Sequence, residues 1–381
     1  MAHIFKHPKG DTKGIIILTH KEMRFIYPDH PYFEQRSSRI DRLKNIVVKR
    51  KEGVNPVLVE KINRISEKYF IGVHFGWIHH NFPSFDIVDF HMGSPTTVSF
   101  EDQDSANFIP LDGSSFIPSF FHIEQPKDHL KLWDIIMVAR DVRWKNLDIF
   151  LKTIRKIYDN GHKTTVLLVV PSGSAVDNNT HVTYTELLDD YADMFSYEER
   201  ERFTVLKTHP NMPFLGLAQK QIAHFYHLSK TFALFSEEEG GSRVVSEALL
   251  AGLPVVVKSN LTGGGKDFLN ASNSVFFDDF DQADEALLKA VDNWKTLNTD
   301  NEEVRKLTHE RNSIESLKQY FVNLYESNGQ NFDGALLNTD RLSFRLNAHW
   351  HEGLPWADKS FASPDIRTAE QFDLFTSKLE L

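Results

Sequence analysis

Along this chain, apolar positions come in short runs separated by longer stretches with helical spacing. "GIIILTH" (14–20) is continuous and β-branched, so it predicts a buried strand. "YFIGVHFGW" (69–77) and "FDIVDFHMG" (85–93) predict two more. In "SSRIDRLKNIVVKRKEG" (37–53), Ile40, Leu43, Ile46 and Val47 recur on one side of a predicted helix that Gly53 stops. Residues 94–130 lose periodicity and carry the turn formers of "IPLDGSS" and "EQPKD", the expected approach to a domain boundary.

From Trp133 the pattern becomes regular. Strands are predicted at 133–140, 163–173, 204–209, 231–236 and 254–259. Helices fall between them, at 146–161, 184–203, 217–229 and 242–252. Strands alternating with helices across short loops predict a parallel sheet covered on both faces. Such a sheet binds ligands at the carboxyl ends of its strands. The tail from about 326 breaks the alternation and ends in a predicted helix, "TAEQFDLFTSKLEL". No internal repeat or low-complexity segment is present.

Length and composition narrow the class. With 381 residues, two domains are expected. There are no cysteines, which excludes a disulfide framework and thiolate chemistry and fits a reducing compartment. The N-terminus lacks an apolar core of signal-peptide length, and runs such as "TVLLVV" are too short to span a bilayer. A cytoplasmic protein is therefore expected. The net charge is −10, but residues 1–60 carry 12 Lys and Arg against 7 Asp and Glu. That asymmetry suits an anionic partner for the N-terminal part, whereas the acidic whole argues against nucleic acid.

The chemistry concentrates in "SEEEGGSRVVSEALLAGLPVVVKSN" (236–260). Glu239 and the pair Gly240–Gly241 follow the predicted strand 231–236 and precede the next helix, in the crevice position. Glycines there let the backbone approach a ligand, and the helix N-terminus adds a partial positive charge suited to phosphate. Glu247 lies in the apolar stripe of that helix. Either its oxygens accept hydrogen bonds from a vicinal diol, or it is a solvated glutamate on a short surface helix; spacing alone leaves both open.

These residues resemble a known family. The Glu239–Glu247 spacing within "EEEGGSRVVSEALLAGLPVVV" looks like the signature of retaining GT-B glycosyltransferases of the family 4 type, commonly E-G-F-G-x-x-x-x-E-A-x-A-x-G-x-P-V. The match keeps both acids, the first glycine, the alanine after the second acid, the later glycine and the proline. It departs at Gly241, where an aromatic is usual, and at Ser242 and Arg243. Upstream, "VARDVRWKN" places Arg140 and Lys145 at the family's Arg-to-Lys spacing, with Ala139 and Asn146 where glycines are common. Two fixed cations stabilise the charge that builds on a departing nucleoside diphosphate.

The resemblance implies an α/β GT-B fold: two Rossmann-like domains facing a cleft, with a C-terminal helix crossing back to the N-terminal domain. The expected domains are an acceptor side at 1–128, a nucleotide-sugar domain at 129–325 and a returning segment at 326–381. By the same resemblance, Glu239 contacts the donor sugar, Glu247 the ribose hydroxyls, and Arg140 and Lys145 the diphosphate. Backbone amides from Gly240 and Gly241 through Ser242, Arg243 and Val244 lie along sugar and phosphate. The implied reaction is transfer, with retention, from a nucleotide-diphosphate sugar to a glycan or lipid-linked acceptor of a surface polysaccharide pathway, with no cofactor and no metal. A sugar-nucleotide epimerase or phosphorylase on the same fold, or a non-catalytic relative, are the rival readings.

Other features carry less. His91, at the end of a predicted strand, is the candidate for facing the transferred sugar, with a packed histidine as the alternative. Arg143 is either a further phosphate contact or a surface arginine. The Gly-rich turn "NLTGGGKDFLN" (260–270) lacks P-loop spacing. The "DQD" at 102–104 and the histidines His349 and His351 are read as incidental, so no metal site is assigned. The basic helix 37–53 is read either as an ordinary amphipathic helix or as a peripheral contact with the inner membrane face.

Overall fold

The computed structural model describes residues 3–27, 56–74, 85, 87–94, 108–124, 128–171, 186–208, 217–297, 302–337, 339, 342, 346 and 369–380. The basic helix expected at 37–53, the 102–104 triplet, His349, His351 and the tail aromatics Trp350, Trp356 and Phe361 lie outside the described residues.

The chain forms two compact units, Met1–Phe116 with Glu310–Leu381, and Ile117–His309. In the first unit, β1 (His3–Lys6), β2 (Gly14–Thr19), α1 (His20–Ile26), α2 (Pro56–Lys68), β3 (Tyr69–His74), β4 (Phe90–Met92) and β5 (Phe108–Ile109) follow one another. The strands form a sheet in that same order, parallel except for β1, which pairs antiparallel with β2 at the edge. β2 reads GIIILT and is buried at every position, as expected of a strand covered on both faces. The strand predicted at 85–93 contracts to Phe90–Met92 because Phe85 opens a turn, its carbonyl accepting from the Val88 amide.

The second unit contains β6 (Trp133–Val138), α3 (Leu147–Asp159), β7 (Val166–Val170), α4 (Leu187–Met194), α5 (Tyr197–Arg200), β8 (Phe203–Lys207), α6 (Gln219–His227), β9 (Ser229–Leu234), β10 (Glu238–Gly241), α7 (Arg243–Leu250), β11 (Val255–Lys258), β12 (Thr262–Gly264), β13 (Ser274–Phe277), α8 (Ala283–Asn293) and α9 (Glu302–Thr308). Its main sheet is parallel, in the order β13-β11-β9-β6-β7-β8. Side chains alternate across it. Ile135 and Met137 pack with Phe150, Leu151 and Ile154 of α3 on one face, while Ile136 and Val138 pack with Ala223, Tyr226 and Ala248 on the other. Each such fully buried aliphatic or aromatic side chain contributes about 1.5–3 kcal/mol relative to exposure.

Two helices close the first unit: α10 (Glu310–Ser327) and α11 (Ala369–Glu380). Phe321 and Tyr325 of α10 lie against Phe5, Phe70 and Phe90 on one face of the sheet. Phe372, Phe375 and Leu379 of α11 join Leu58, Ile62 and Ile65 of α2 on the other. Lys61 seals that pairing with bonds to Asp373 (2.5 Å) and Ser377 (2.8 Å). The last helix thus returns to the N-terminal sheet, as the fold reading expects.

Candidate active site

Numbered within its own unit, the second sheet runs third, second, first, fourth, fifth, sixth. The order reverses between β6 and β9, so the loops leaving their carboxyl ends turn to opposite sides and open a crevice at the switch point. The loop after β6 carries Arg140, Arg143 and Lys145. The loop after β9 carries Glu237, Glu238 and Glu239.

Local geometry fixes both loops. Residues Arg143–Lys145 form a single 3-10 turn, and Asn146 follows in the left-handed region (φ 51°, ψ 41°). The Asn146 Nδ2 donates to the Phe235 carbonyl at 2.9 Å, tying the β6 loop to the end of β9. Beyond Ser236, β10 pairs in parallel with β12, setting Glu239 opposite Gly263. The Ser242 amide donates to the Gly264 carbonyl at 3.3 Å. Gly265 has φ +94°, and a Cβ there would stand 3.0 Å from Ser242 Cβ, so this approach requires glycine. The glycine run at 263–265 therefore packs directly on the N-terminus of α7.

Four ion pairs line the carboxyl edge of the sheet. Lys145 Nζ bonds Glu239 Oε1, with both side chains largely buried. Arg243 Nη2 donates to Glu247 Oε1 at 2.9 Å. Lys207 faces Asp141 at 3.5 Å, and Lys258 bonds Glu237. Burial pushes the Glu247 carboxyl above its usual range, and the adjacent Arg243 guanidinium opposes that shift. Nearby hydroxyls are buried without a hydrogen-bond partner: Tyr226 Oη, Ser236 Oγ, Ser242 Oγ and Ser246 Oγ. An unpartnered buried polar group costs roughly 1–3 kcal/mol, so four on the elements around one crevice call for an explanation.

The model of one family, glycosyl transferases group 1, matches residues 120–311, half of the chain. The chain belongs to this family. Its matched span closely follows the second compact unit, Ile117–His309. No curated protein matches the sequence. Among solved structures, the chain is similar to TarM, with 15% identity over 68% of this chain and 50% of TarM, at a TM-score of 0.45. It is also similar to the pneumococcal O-GlcNAc transferase GtfA in complex with UDP and GlcNAc (12% identity, 73% of this chain, 55% of that one, TM-score 0.48). A third is the sucrose-phosphate synthase of Thermosynechococcus elongatus (14% identity, 68% of this chain, 69% of that one, TM-score 0.48). The chain spans about half the length of TarM and GtfA. As a glycosyl transferases group 1 member with two largely parallel sheets, each sandwiched between helices, it has the GT-B fold.

The family context explains Asn146. Glycine is common at that position in the pattern the sequence resembles, and the backbone there is left-handed, which asparagine tolerates better than most side chains. The structure joins Lys145 to Glu239 and Arg243 to Glu247, and sets Gly240, Gly241, Ser242 and Val244 on the segment between the two acids. Arg140 is half-buried at the start of the β6 loop, and Arg143 is exposed. His91 belongs to the first unit, on β4, where burial pushes its pKa down to about 4 and leaves it neutral near pH 7.

The elements around the crevice also carry Asp141, Lys207, Tyr226 and Ser236, which the motif does not include. Ser236 was discoverable, since it ends the strand run "TFALFS" at the crevice. Tyr226, inside "HFYH", carries no signal that separates it from an ordinary packing aromatic. Among the described residues, no helix is long and apolar enough to cross a membrane.

Proposed function

We propose that this protein transfers a glycosyl group from a nucleotide-diphosphate sugar to an acceptor hydroxyl, with retention at the anomeric carbon. The observation that carries the reading is a buried Lys145–Glu239 pair that joins the loops after β6 and β9 at the switch point, followed one turn into the next helix by a buried Glu247. Lys145 and Arg140 supply positive charge where the diphosphate leaves, doing with fixed side chains what a divalent ion does in other sites, so no metal is invoked. Glu239 serves the donor sugar and Glu247 the ribose hydroxyls, while the amides from Gly240 to Val244 offer donors along the phosphates. His91 is kept as the candidate for contacting the transferred sugar. The positive balance of residues 1–60 suits an anionic acceptor, such as a lipid-linked glycan of a surface polysaccharide pathway handled on the cytoplasmic side.

A thermal-shift panel of UDP-, GDP-, ADP- and dTDP-sugars tests this first, because a bound donor stabilises the folded state by mass action. One nucleotide class is expected to raise Tm. Glu247→Gln should then weaken nucleotide affinity about tenfold or more. Lys145→Ala should mainly lower turnover, by roughly 10²–10³-fold. Unchanged affinity in the Glu247 variant would remove the assignment. Conversion of the donor without any acceptor would mark an epimerase instead.

A further inference from the structure

Arg243 stands at the first position of α7, where its charge has the wrong sign for the helix dipole. Its pairing with Glu247, base before acid at i,i+4, is also the less favourable orientation for an isolated helix. Helix stability therefore gives no reason for an arginine here. The guanidinium contacts Glu247 through a single oxygen, Oε1, at 2.9 Å. Among the described residues no hydrogen bond reaches Oε2. Both side chains are withdrawn from solvent, at 16% and 8% exposure, so the contact is screened far less than a surface pair.

We propose that Arg243 is a positioning residue for nucleotide recognition: it anchors the Glu247 carboxylate as an anion through Oε1 and leaves Oε2 for the ribose hydroxyls. This rests on the donor-site reading of Glu247 given above. The other groups packed around α7 do not replace Arg243. Tyr226, from α6, is buried and uncharged, its phenol pushed well above its usual pKa by burial and then by the charge of Glu247. On β11, Lys258 is engaged with Glu237. On α9, Lys306 pairs with Glu302 at 3.2 Å, and Arg305 acts on His122, whose pKa burial and then that arginine's charge hold down. Lys266, beyond Gly265, is exposed. Burial alone favours the neutral acid at Glu247, and Arg243 is the group that counters it.

The sign of the effect follows. Nucleotide affinity that depends on ionised Glu247 is lost as pH falls through the pKa of that group. Removing Arg243 raises that pKa, so the loss should begin at higher pH. Titration calorimetry with the nucleoside diphosphate that stabilises the wild type, chosen from UDP, GDP, ADP and dTDP, is run from pH 5 to pH 9. For Arg243→Met the affinity midpoint should rise by roughly one to three pH units, with affinity approaching that of the wild type at the alkaline end. Arg243→Lys should move it most of the way back, and adding Glu247→Gln should remove the pH step. If Arg243→Met does not fold, Arg243→Gln, which keeps an N–H donor but not the charge, is measured for the same upward shift. A uniform loss of affinity at every pH, or an unmoved midpoint, overturns the inference while leaving the donor site standing. Failure of the wild type to bind any of the four nucleotides removes both.

Discussion

Asn146 is a single residue on which two site loops depend. Among the described residues it is the only non-glycine with positive φ, and its amide reaches the Phe235 carbonyl. Any substitution forfeits that bond, but only residues with a Cβ also meet the left-handed strain. Asn146→Ala should therefore be less stable than Asn146→Gly by about 1 kcal/mol, read from urea midpoints at constant slope. Equal midpoints would mean that backbone conformation is not what selects asparagine there. Lys145 immediately precedes it, so the same comparison should show lower turnover in the Ala variant as the loop shifts.

At the scale of elements, Arg155 of α3 shows how a helix pair is locked. Its guanidinium forks onto Glu199 (2.7 and 2.5 Å) and donates to the Met194 carbonyl at 3.0 Å, joining α3 to the end of α4 and to α5. Arg155 is the main reason that the Glu199 pKa falls to about 2. A depressed carboxylate pKa contributes stability that is complete above the unfolded value, about 4.3, and lost as pH falls through 2. Arg155→Met should flatten the decline of the urea midpoint between about pH 4.5 and pH 2, and a slope unchanged from the wild type would contradict this.

The same region shows what could be read beforehand. The spacing predicts one helix at 184–203, yet α4 and α5 divide at Ser196, whose Oγ accepts from the Glu199 amide while its own amide donates to the Glu199 carboxylate. The S-x-x-E box is visible in "SYEER", but it lies within a run whose helical propensity masks it. β6, β7, β9 and β11 were legible because most of their positions are buried, so each carries a short apolar run. β10 and β12 were not legible. Glu-Glu-Gly-Gly and Thr-Gly-Gly have almost no strand propensity, and only the packing of neighbouring loops pairs them. For the site, the acids and cations are named by resemblance to the family pattern, since spacing alone leaves Glu247 open between a ligand contact and a surface glutamate. The partners they take in the fold, Lys145 with Glu239 above all, depend on which strands the sheet places side by side.

For the whole molecule, two units with separate cores imply separable responses. Phe372 lies fully buried in the first unit, between α2 and the sheet. Phe372→Ala should destabilise that unit by about 3–5 kcal/mol. The nucleotide that stabilises the wild type should still raise the transition belonging to the second unit. Differential scanning calorimetry with and without nucleotide checks this, and a common loss of both transitions would show that the units unfold as one.

The first unit is assembled from two distant stretches of chain, Met1–Phe116 and Glu310–Leu381, whereas the second is continuous. During synthesis, the strands β1 to β5 leave the ribosome long before α10, which covers one face of their sheet, and α11, which joins α2 on the other. At about 5–20 residues per second, that interval lasts tens of seconds. The second unit can complete its core in the meantime, while one apolar face of the first sheet waits for α10, and it is during this delay that the chain most needs a chaperone.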